Sequence, residues 1–372
     1  MTVTQVTPQA TPTLGPIPAS AAWRPGDPVG NRLFAPLGDL RLEDGSVVPD
    51  AVLAYETWGT LSPARDNAVY IAHALTGDSN AAEWWSGLIG AGRPLDPARH
   101  FIVSANVLGG CQGSTGPSSL APDGRPWGSR FPWPSIRDQV EAERGLADVL
   151  GIDRWRLIAG PSMGGMRVLE WAATYPERVG AIAVMGTTAA STAEQIAWGV
   201  PQIAAIEADS KFRGGDYYDA PAGDGPHVGL GIARQIAHIT YRSEAELGRR
   251  FGREVQADGR FAVQSYLEHH GEKLARRFDA NTYLRLVRAI NGHDVGRGRG
   301  GVGRALARFD GPALVIAVDS DRLYPAPNAR TLDASLPGSR GIRWVHSAVG
   351  HDGFLVESEQ LNGHLRDFER AL

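Results

Sequence analysis

The stretch that decides the fold lies at residues 155–173, WRLIAGPSMGGMRVLEWAA. An apolar run at 156–159 indicates a buried strand, and the run at 166–173 is typical of a helix. Between them, Gly160 to Gly164 match G-x-S-x-G, the pattern of a serine on a sharp turn between a strand and a helix. Larger side chains at the glycine positions would collide with neighbouring backbone in such a turn. Ser162 is therefore the candidate nucleophile.

Apolar strand-like runs alternate with helical segments on both sides of this turn. Such alternation predicts a mostly parallel sheet covered on both faces, which together with the serine turn is typical of the α/β-hydrolase fold. The predicted strands lie at 68–73, 101–105, 156–159, 181–185, 313–318 and 342–346.

The strand signal disappears in the middle of the chain. Residues 187–299 carry apolar side chains at helical spacing and predict a helical lid inserted into an α/β core of residues 36–186 and 300–372. Residues 1–35, rich in Pro, Thr and Ala, predict a flexible N-terminal tail. Helix starts are predicted from capping patterns at Ser135, Ser191 and Ser243.

Composition excludes several classes of protein. The chain has 372 residues and a formal net charge of −4, with 37 basic and 41 acidic residues, so no general attraction to nucleic acid or anionic membranes is expected. A single cysteine, Cys111, rules out an intrachain disulfide. No run is long and apolar enough for a membrane span, and no secretory signal is recognisable, so we expect a cytoplasmic protein.

A serine hydroxyl needs a base, and that base needs a carboxylate to orient it. In this fold the partners follow the serine in the order acid, then histidine. His351 lies between glycines just after the last predicted strand. Asp319 and Asp321 both follow the strand at 313–318, and chain order does not separate them.

The negative charge that develops during acyl transfer should meet two backbone N–H groups. One is predicted from Met163, the residue after the nucleophile. The other is predicted from the loop after the third strand, residues 73–77, with Leu75 as first choice and Thr76 as second.

Several segments together resemble the homoserine O-acetyltransferase family. The resemblance runs from about residue 36 to the C-terminus, and Pro161 departs from the glycine usual at that position. The segments are His73-Ala74-Leu75-Thr76-Gly77-Asp78, Asn106-Val107-Leu108-Gly109-Gly110-Cys111, Ser162-Met163-Gly164-Gly165-Met166, Asp321-Arg322-Leu323-Tyr324-Pro325 and Gly350-His351-Asp352-Gly353.

The resemblance implies transfer of an acetyl group from acetyl-CoA to the hydroxyl of L-homoserine, in methionine biosynthesis, through an acyl-enzyme. It implies Asp321 as the triad acid, Arg234 as the partner of the homoserine carboxylate and Asp352 as the partner of its ammonium group. Tyr241 is expected to hydrogen-bond nearby. No metal or redox cofactor is expected, and a homodimer formed through the lid is implied.

Three alternatives remain at this stage. One keeps the chemistry and changes the substrates, as in a homoserine or serine O-succinyltransferase. Another is an esterase with the same triad, and the third is a binding protein on this fold that has lost catalysis. Release of CoA that ignores homoserine would indicate a hydrolase.

Overall fold

The computed structural model describes residues 15–372 and contains one eight-stranded sheet. The strands follow the spatial order β1-β2-β4-β3-β5-β6-β7-β8. Pairing is antiparallel between β1 and β2 and between β2 and β4, and parallel between all other neighbours. The strands are β1 (Leu33–Arg41), β2 (Val47–Trp58), β3 (Ala68–Ile71), β4 (Phe101–Ala105), β5 (Leu157–Pro161), β6 (Ile182–Met185), β7 (Ala313–Val318) and β8 (Ser339–Val345).

Helices cover both faces of this sheet and fill the interval between β6 and β7. The prediction of a mostly parallel α/β-hydrolase fold with a helical insertion is confirmed. The helices are α1 (Ala81–Trp84), α2 (Ile136–Val149), α3 (Met163–Thr174), α4 (Ala193–Glu207), α5 (His227–Tyr241), α6 (Glu244–Phe251), α7 (Ala262–Ala275), α8 (Ala280–Asn291), α9 (Val302–Leu306), α10 (Ala326–Ser335), α11 (Gly353–Val356) and α12 (Ser358–Glu369).

The five strands β3–β7 at the centre of the sheet are buried because helices cover both of their faces. Strands β3, β5, β6 and β7 have no exposed residue, as expected for continuous apolar runs in a parallel sheet. Their carboxyl ends meet at one edge, where the loops after β3, β5, β7 and β8 come together. This edge faces the lid helices α4–α8. No helix within residues 15–372 is long and apolar enough to cross a membrane.

The prediction of a flexible tail up to residue 35 is wrong for the described part of that segment. Strand β1 already begins at Leu33. Before it, Ala22 is buried, the Ser20 hydroxyl donates to Asp279 of the lid at 2.8 Å, and the Trp23 ring packs 5.1 Å from that of Phe34. Contacts distant in sequence thus order a segment whose composition alone favours disorder. Residues 1–14 lie outside the described residues.

Two of the three predicted helix caps are confirmed. Ser135 accepts a hydrogen bond from the backbone N–H of Asp138 and Ser243 accepts one from Glu246. The cap of α4 is Thr192 and not Ser191, because Thr192 and Gln195 form the reciprocal capping box. The Ser191 hydroxyl donates instead to the carbonyl of Ile290.

Candidate active site

Ser162 stands between β5 and α3 in a strained backbone conformation. Its φ is +55° and its ψ is −125°, a region that residues other than glycine rarely occupy. Two hydrogen bonds hold it there: its N–H donates to Met185 at 2.9 Å, and the Thr187 hydroxyl donates to its carbonyl at 2.7 Å. This conformation presents the Ser162 side chain to the adjacent cleft, as the G-x-S-x-G pattern predicts.

Close packing explains the glycines of the motif. A Cβ atom on Gly160 would lie 2.7 Å from the carbonyl oxygen of Ala72, and one on Gly164 would lie 2.0 Å from the same atom. Helix α3 therefore rests directly on the backbone of the loop that follows β3.

The structure brings Ser162, His351 and Asp321 together from three separate loops. The Nε2 atom of His351 lies 3.0 Å from the Ser162 hydroxyl, and its Nδ1 lies 2.7 Å from Oδ2 of Asp321. The other carboxylate oxygen of Asp321 accepts the N–H groups of Leu323 at 2.8 Å and Tyr324 at 2.9 Å. A carboxylate held in this way fixes the tautomer that leaves Nε2 free to accept a proton.

The second candidate acid lies away from this arrangement. Asp319 is exposed and bonds to His346 at 2.9 Å on the surface. Chain order left Asp319 and Asp321 as candidates for the carboxylate that orients His351, and the geometry selects Asp321.

Electrostatics favour a basic imidazole. Burial alone would lower the pKa of His351, but the charge of Asp321 and its hydrogen bond outweigh that effect and raise the pKa above the ordinary 6.5. A raised pKa strengthens the neutral imidazole as a base.

Two candidate oxyanion donors lie beside Ser162. Within residues 15–372, the N–H groups of Leu75 and Met163 bond to no other protein group. The N–H of Thr76 is also unengaged in this part of the chain, so the hydrogen bonds alone do not separate Leu75 from Thr76. Leu75 is the more buried of the two.

The imidazole of His73 shapes the loop that carries Leu75. Burial, with a contribution from Arg167, lowers the pKa of His73 to about 3, so the ring is neutral. Its Nδ1–H donates to the carbonyl of Ala74 at 2.7 Å, and its Nε2 accepts the N–H of Val107 at 3.0 Å. This role was not recognised from the sequence, where a single histidine carries no distinguishing pattern.

A cleft of about 180 Å³ opens above Ser162. Arg234, Tyr241 and Asp352, the three residues expected to bind substrate, line it together with Ser162 and His351. The guanidinium carbon of Arg234 lies 5.2 Å from the Tyr241 ring centre, and that ring lies 5.7 Å from the ring of His351. Cationic and anionic side chains thus both line the cleft that contains Ser162.

The setting of Asp352 differs from the expectation in one respect. Its carboxylate already bonds to Arg242 at 3.1 Å. Burial raises the pKa of Asp352, and the positive charge of Arg242 opposes that effect. A carboxylate has lone pairs for more than one donor, so Asp352 can still accept an ammonium group.

Two arginines at the site were not predicted from the sequence: Arg242, the partner of Asp352, and Arg277, which lines the cleft with Arg234. Nη1 of Arg277 donates to the carbonyl of Thr76 at 2.9 Å. Arginines at unremarkable helix ends give no sequence signal. Within residues 15–372, no group of three or more His, Cys, Asp or Glu side chains could hold a metal ion.

Comparison with known proteins agrees with this geometry. A family profile described as alpha/beta hydrolase fold matches residues 67–358. The homoserine O-acetyltransferase of Thermobifida fusca (strain YX) is 54% identical over 367 residues, covering 94% of this chain and 97% of that protein. This chain belongs to the homoserine O-acetyltransferase family.

Solved structures similar to this family member include both transferases and hydrolases. The homoserine O-acetyltransferase of Staphylococcus aureus is 27% identical with a TM-score of 0.74, covering 91% of this chain and 94% of that one. An acetylester hydrolase of Corynebacterium glutamicum is 29% identical with a TM-score of 0.80, covering 92% and 97%. The shared scaffold therefore does not separate transfer from hydrolysis.

Proposed function

We propose that this protein transfers an acetyl group from acetyl-CoA to the side-chain hydroxyl of L-homoserine, in the synthesis of methionine. The observation that carries the proposal is a buried Ser162–His351–Asp321 chain beneath a cleft with a cation, Arg234, and an anion, Asp352. An α-amino acid presents one carboxylate and one ammonium group, which complement these two charges. A simple ester makes no use of them.

In the first half-reaction, the Ser162 oxygen attacks the thioester carbonyl carbon while Nε2 of His351 takes the hydroxyl proton. The new C–O bond leaves negative charge on the carbonyl oxygen, and the N–H groups of Leu75 and Met163 stabilise it. The C–S bond then breaks, and the CoA sulfur leaves as a thiol with the proton from His351. The product is acetyl-Ser162.

In the second half-reaction, homoserine occupies the cleft and His351 takes the proton of its hydroxyl group. The homoserine oxygen attacks the acetyl carbon, the same N–H groups bind the oxyanion, and the bond to Ser162 breaks. His351 returns the proton to the serine oxygen. Because the two substrates use one site in turn, ping-pong kinetics are expected.

Transfer competes with attack by water on acetyl-Ser162. Arg234 can hold the homoserine carboxylate through two parallel hydrogen bonds, and Asp352 can hold its ammonium group beside His351. An anchored acceptor reacts at a high effective concentration, which favours transfer over hydrolysis. Tyr241, between Arg234 and His351, can hydrogen-bond to the bound amino acid.

An esterase is the second candidate, since the Corynebacterium hydrolase shares the scaffold. The deciding experiment incubates the protein with acetyl-CoA alone and with homoserine, and follows CoA release and products by mass spectrometry. Homoserine-dependent CoA release and O-acetylhomoserine support transfer. CoA release that is equal without homoserine supports hydrolysis.

A competition of acetyl-CoA with succinyl-CoA, with homoserine and serine present together, tests the substrates. The Ser162→Ala variant tests the nucleophile: acetyl-enzyme should form on the native protein and not on the variant. Unchanged CoA release by this variant would overturn the proposal.

Two further parts of the proposal concern the setting of the enzyme. The lid helices α4 and α5 leave four large apolar side chains exposed: Ile196, Val200, Val228 and Ile232. Apolar surface of this kind on adjacent helices supports a homodimer formed through the lid. A cytoplasmic location fits the single cysteine, and the charge balance supports neither nucleic acid nor membrane as a partner.

A further inference from the structure

A buried ion pair lies behind the active-site serine. Arg167 is on α3, and Glu143 is on the neighbouring helix α2; their side chains are 0% and 1% exposed. Nη1 of Arg167 lies 2.5 Å from Oε1 of Glu143, and the Trp171 indole N–H donates to the other carboxylate oxygen at 2.8 Å. Neither charge touches the cleft, and the acyl-transfer steps do not use them.

The second terminal nitrogen of Arg167 binds the backbone of the oxyanion loop, residues 73–77. Its Nη2–H donates to the carbonyl oxygen of His73. This carbonyl belongs to the residue that starts the loop, two residues before Leu75. The interaction is charge-assisted and fully buried, and hence stronger than a neutral hydrogen bond at the surface.

Arg167 therefore connects the two structures that carry the oxyanion donors. Met163 is the first residue of α3, and Arg167 lies one helical turn after it on the same helix. Leu75 lies on the loop that Arg167 binds. We propose that Arg167 is a positioning residue that fixes the separation between the N–H groups of Leu75 and Met163. The inference rests on the oxyanion role given to these groups in the proposed function.

A purely structural role accounts less well for the charges. Burying an ion pair costs desolvation energy, and apolar residues of similar size often stabilise such a site at least as well. Packing of α3 on the loop is already provided by Gly164, where a Cβ atom would meet the Ala72 carbonyl. The feature specific to arginine is that one planar group binds a carboxylate and a carbonyl at once through different nitrogen atoms.

Two variants test the inference. Arg167→Lys keeps the charge beside Glu143 but replaces the fork with one ammonium group that cannot reproduce both contacts. The double variant Arg167→Met with Glu143→Gln removes both charges, leaves no buried ion unpaired and keeps an acceptor for Trp171. Rapid mixing with acetyl-CoA gives the acylation rate constant and its dependence on donor concentration.

We expect the acylation rate constant of each variant to fall about 10- to 100-fold, less than the roughly 10²–10³ lost with a whole oxyanion donor. The half-saturating concentration of acetyl-CoA should change little. Affinity for methylboronic acid, which forms a tetrahedral adduct with the serine, should fall by a similar factor. The pH at which acylation is half-maximal should not move, since His351 and Asp321 are untouched.

Arg285→Met is the matched control. Arg285 is also a buried arginine that binds backbone carbonyls, those of Ser129 and Phe131, but it does not contact the oxyanion loop. It should lower the melting temperature without slowing acylation. A normal acylation rate and boronate affinity in folded Arg167→Lys would overturn the inference, as would equal slowing by Arg285→Met.

Failure of the inference is distinguishable from failure of the proposed function. Absence of an acetyl-enzyme on the native protein would overturn the function itself. If the double variant does not fold, Arg167→Lys, with its ion pair retained, decides the question alone.

Discussion

The titration of His351 depends mainly on the charge of Asp321, to which Asp352 adds a smaller effect in the same direction. Asp321 raises the pKa of His351 against the opposite effect of burial. In Asp321→Asn the burial effect remains and the charge is gone, so the imidazole should titrate below 6.5, whereas in the native protein it should titrate above 6.5. Nitrogen NMR of the histidine side chains measures both midpoints directly.

The upward shift of the His351 pKa has a kinetic consequence for the native enzyme. Below its pKa the imidazole carries a proton and cannot act as a base, so acylation should decline as the pH falls through the raised pKa. Asp319→Asn is the control, because Asp319 contacts His346 and not His351. An unchanged His351 midpoint in Asp321→Asn would contradict the assigned cause of the shift.

A single substitution at Arg234 tests the recognition of homoserine. Arg234→Ala removes the proposed partner of the homoserine carboxylate and leaves the triad intact. The kcat/KM for homoserine should fall about 10- to 100-fold, the effect of losing hydrogen bonds worth roughly 1.5–3 kcal/mol. Acylation by acetyl-CoA should stay within about twofold of the native rate.

Single-turnover kinetics give the acylation rate, and steady-state kinetics of transfer give the kcat/KM for homoserine. Arg249→Ala is a suitable control, since Arg249 is an exposed arginine of α6 outside the residues that line the cleft. Equal damage to both half-reactions in Arg234→Ala would argue that this arginine supports the fold of the lid and does not bind the acceptor.

At the scale of elements, the contact between α3 and the loop after β3 should be intolerant of one methyl group. Gly164→Ala places a Cβ atom 2.0 Å from the carbonyl oxygen of Ala72, a backbone atom that cannot rotate away. Overpacking of this kind typically costs about 1–3 kcal/mol. Acylation should also slow, because moving α3 away from the loop separates Met163 from Leu75.

Gly363→Ala provides the comparison. Gly363 is also a helical glycine, in α12, but a Cβ atom there would meet nothing within 4 Å. Its replacement should leave activity unchanged and stabilise the protein by up to about 1 kcal/mol through helix propensity. Urea unfolding of the two variants would contradict this account if both changed stability in the same direction.

The elements that the sequence predicted are those whose signal is local. Strands β4 and β7 lie where their apolar runs predicted them, because burial on both faces makes such runs continuous. The hairpin of β1 and β2 was missed, since its burial alternates irregularly and its pairing contains register shifts. In the cleft, too, only local signals were informative: the G-x-S-x-G motif predicted Ser162, and chain order with the flanking glycines predicted His351.

Contacts between distant segments had no such signal. Three features depend on the tertiary fold: the Arg242–Asp352 pair, the double contact of Arg167 with Glu143 and the His73 carbonyl, and the ordering of residues 15–32. Family resemblance supplied Asp321, Arg234 and Asp352, which residue types alone left open. The sequence thus predicted Ser162 and His351, and the structure was needed to find the groups that position them.

At the scale of the whole molecule, the lid has two surfaces of different composition. Its inner surface supplies Arg234 and Tyr241 to the cleft. Its outer surface carries exposed apolar side chains, with Val200 of α4 56% exposed and Val228 of α5 59% exposed. In the proposed dimer a second copy of this chain would bury that surface by twofold symmetry, and because α5 also supplies Arg234 and Tyr241 to the cleft, dimer formation would also restrain the acceptor site.

A charged residue on that outer surface should separate the copies. In Val200→Asp combined with Val228→Asp, association would require burial of two unpaired carboxylates on each copy, which costs far more than the apolar contact contributes. Sedimentation at micromolar concentration should show a dimer for the native chain and a monomer for the variant. Val149→Asp, on α2 outside the lid, changes a similarly exposed valine and should remain dimeric. A native chain that sediments as a monomer, or a variant that stays dimeric, would contradict assembly through the lid. If the monomeric variant acylates normally but uses homoserine poorly, the two surfaces of the lid are coupled.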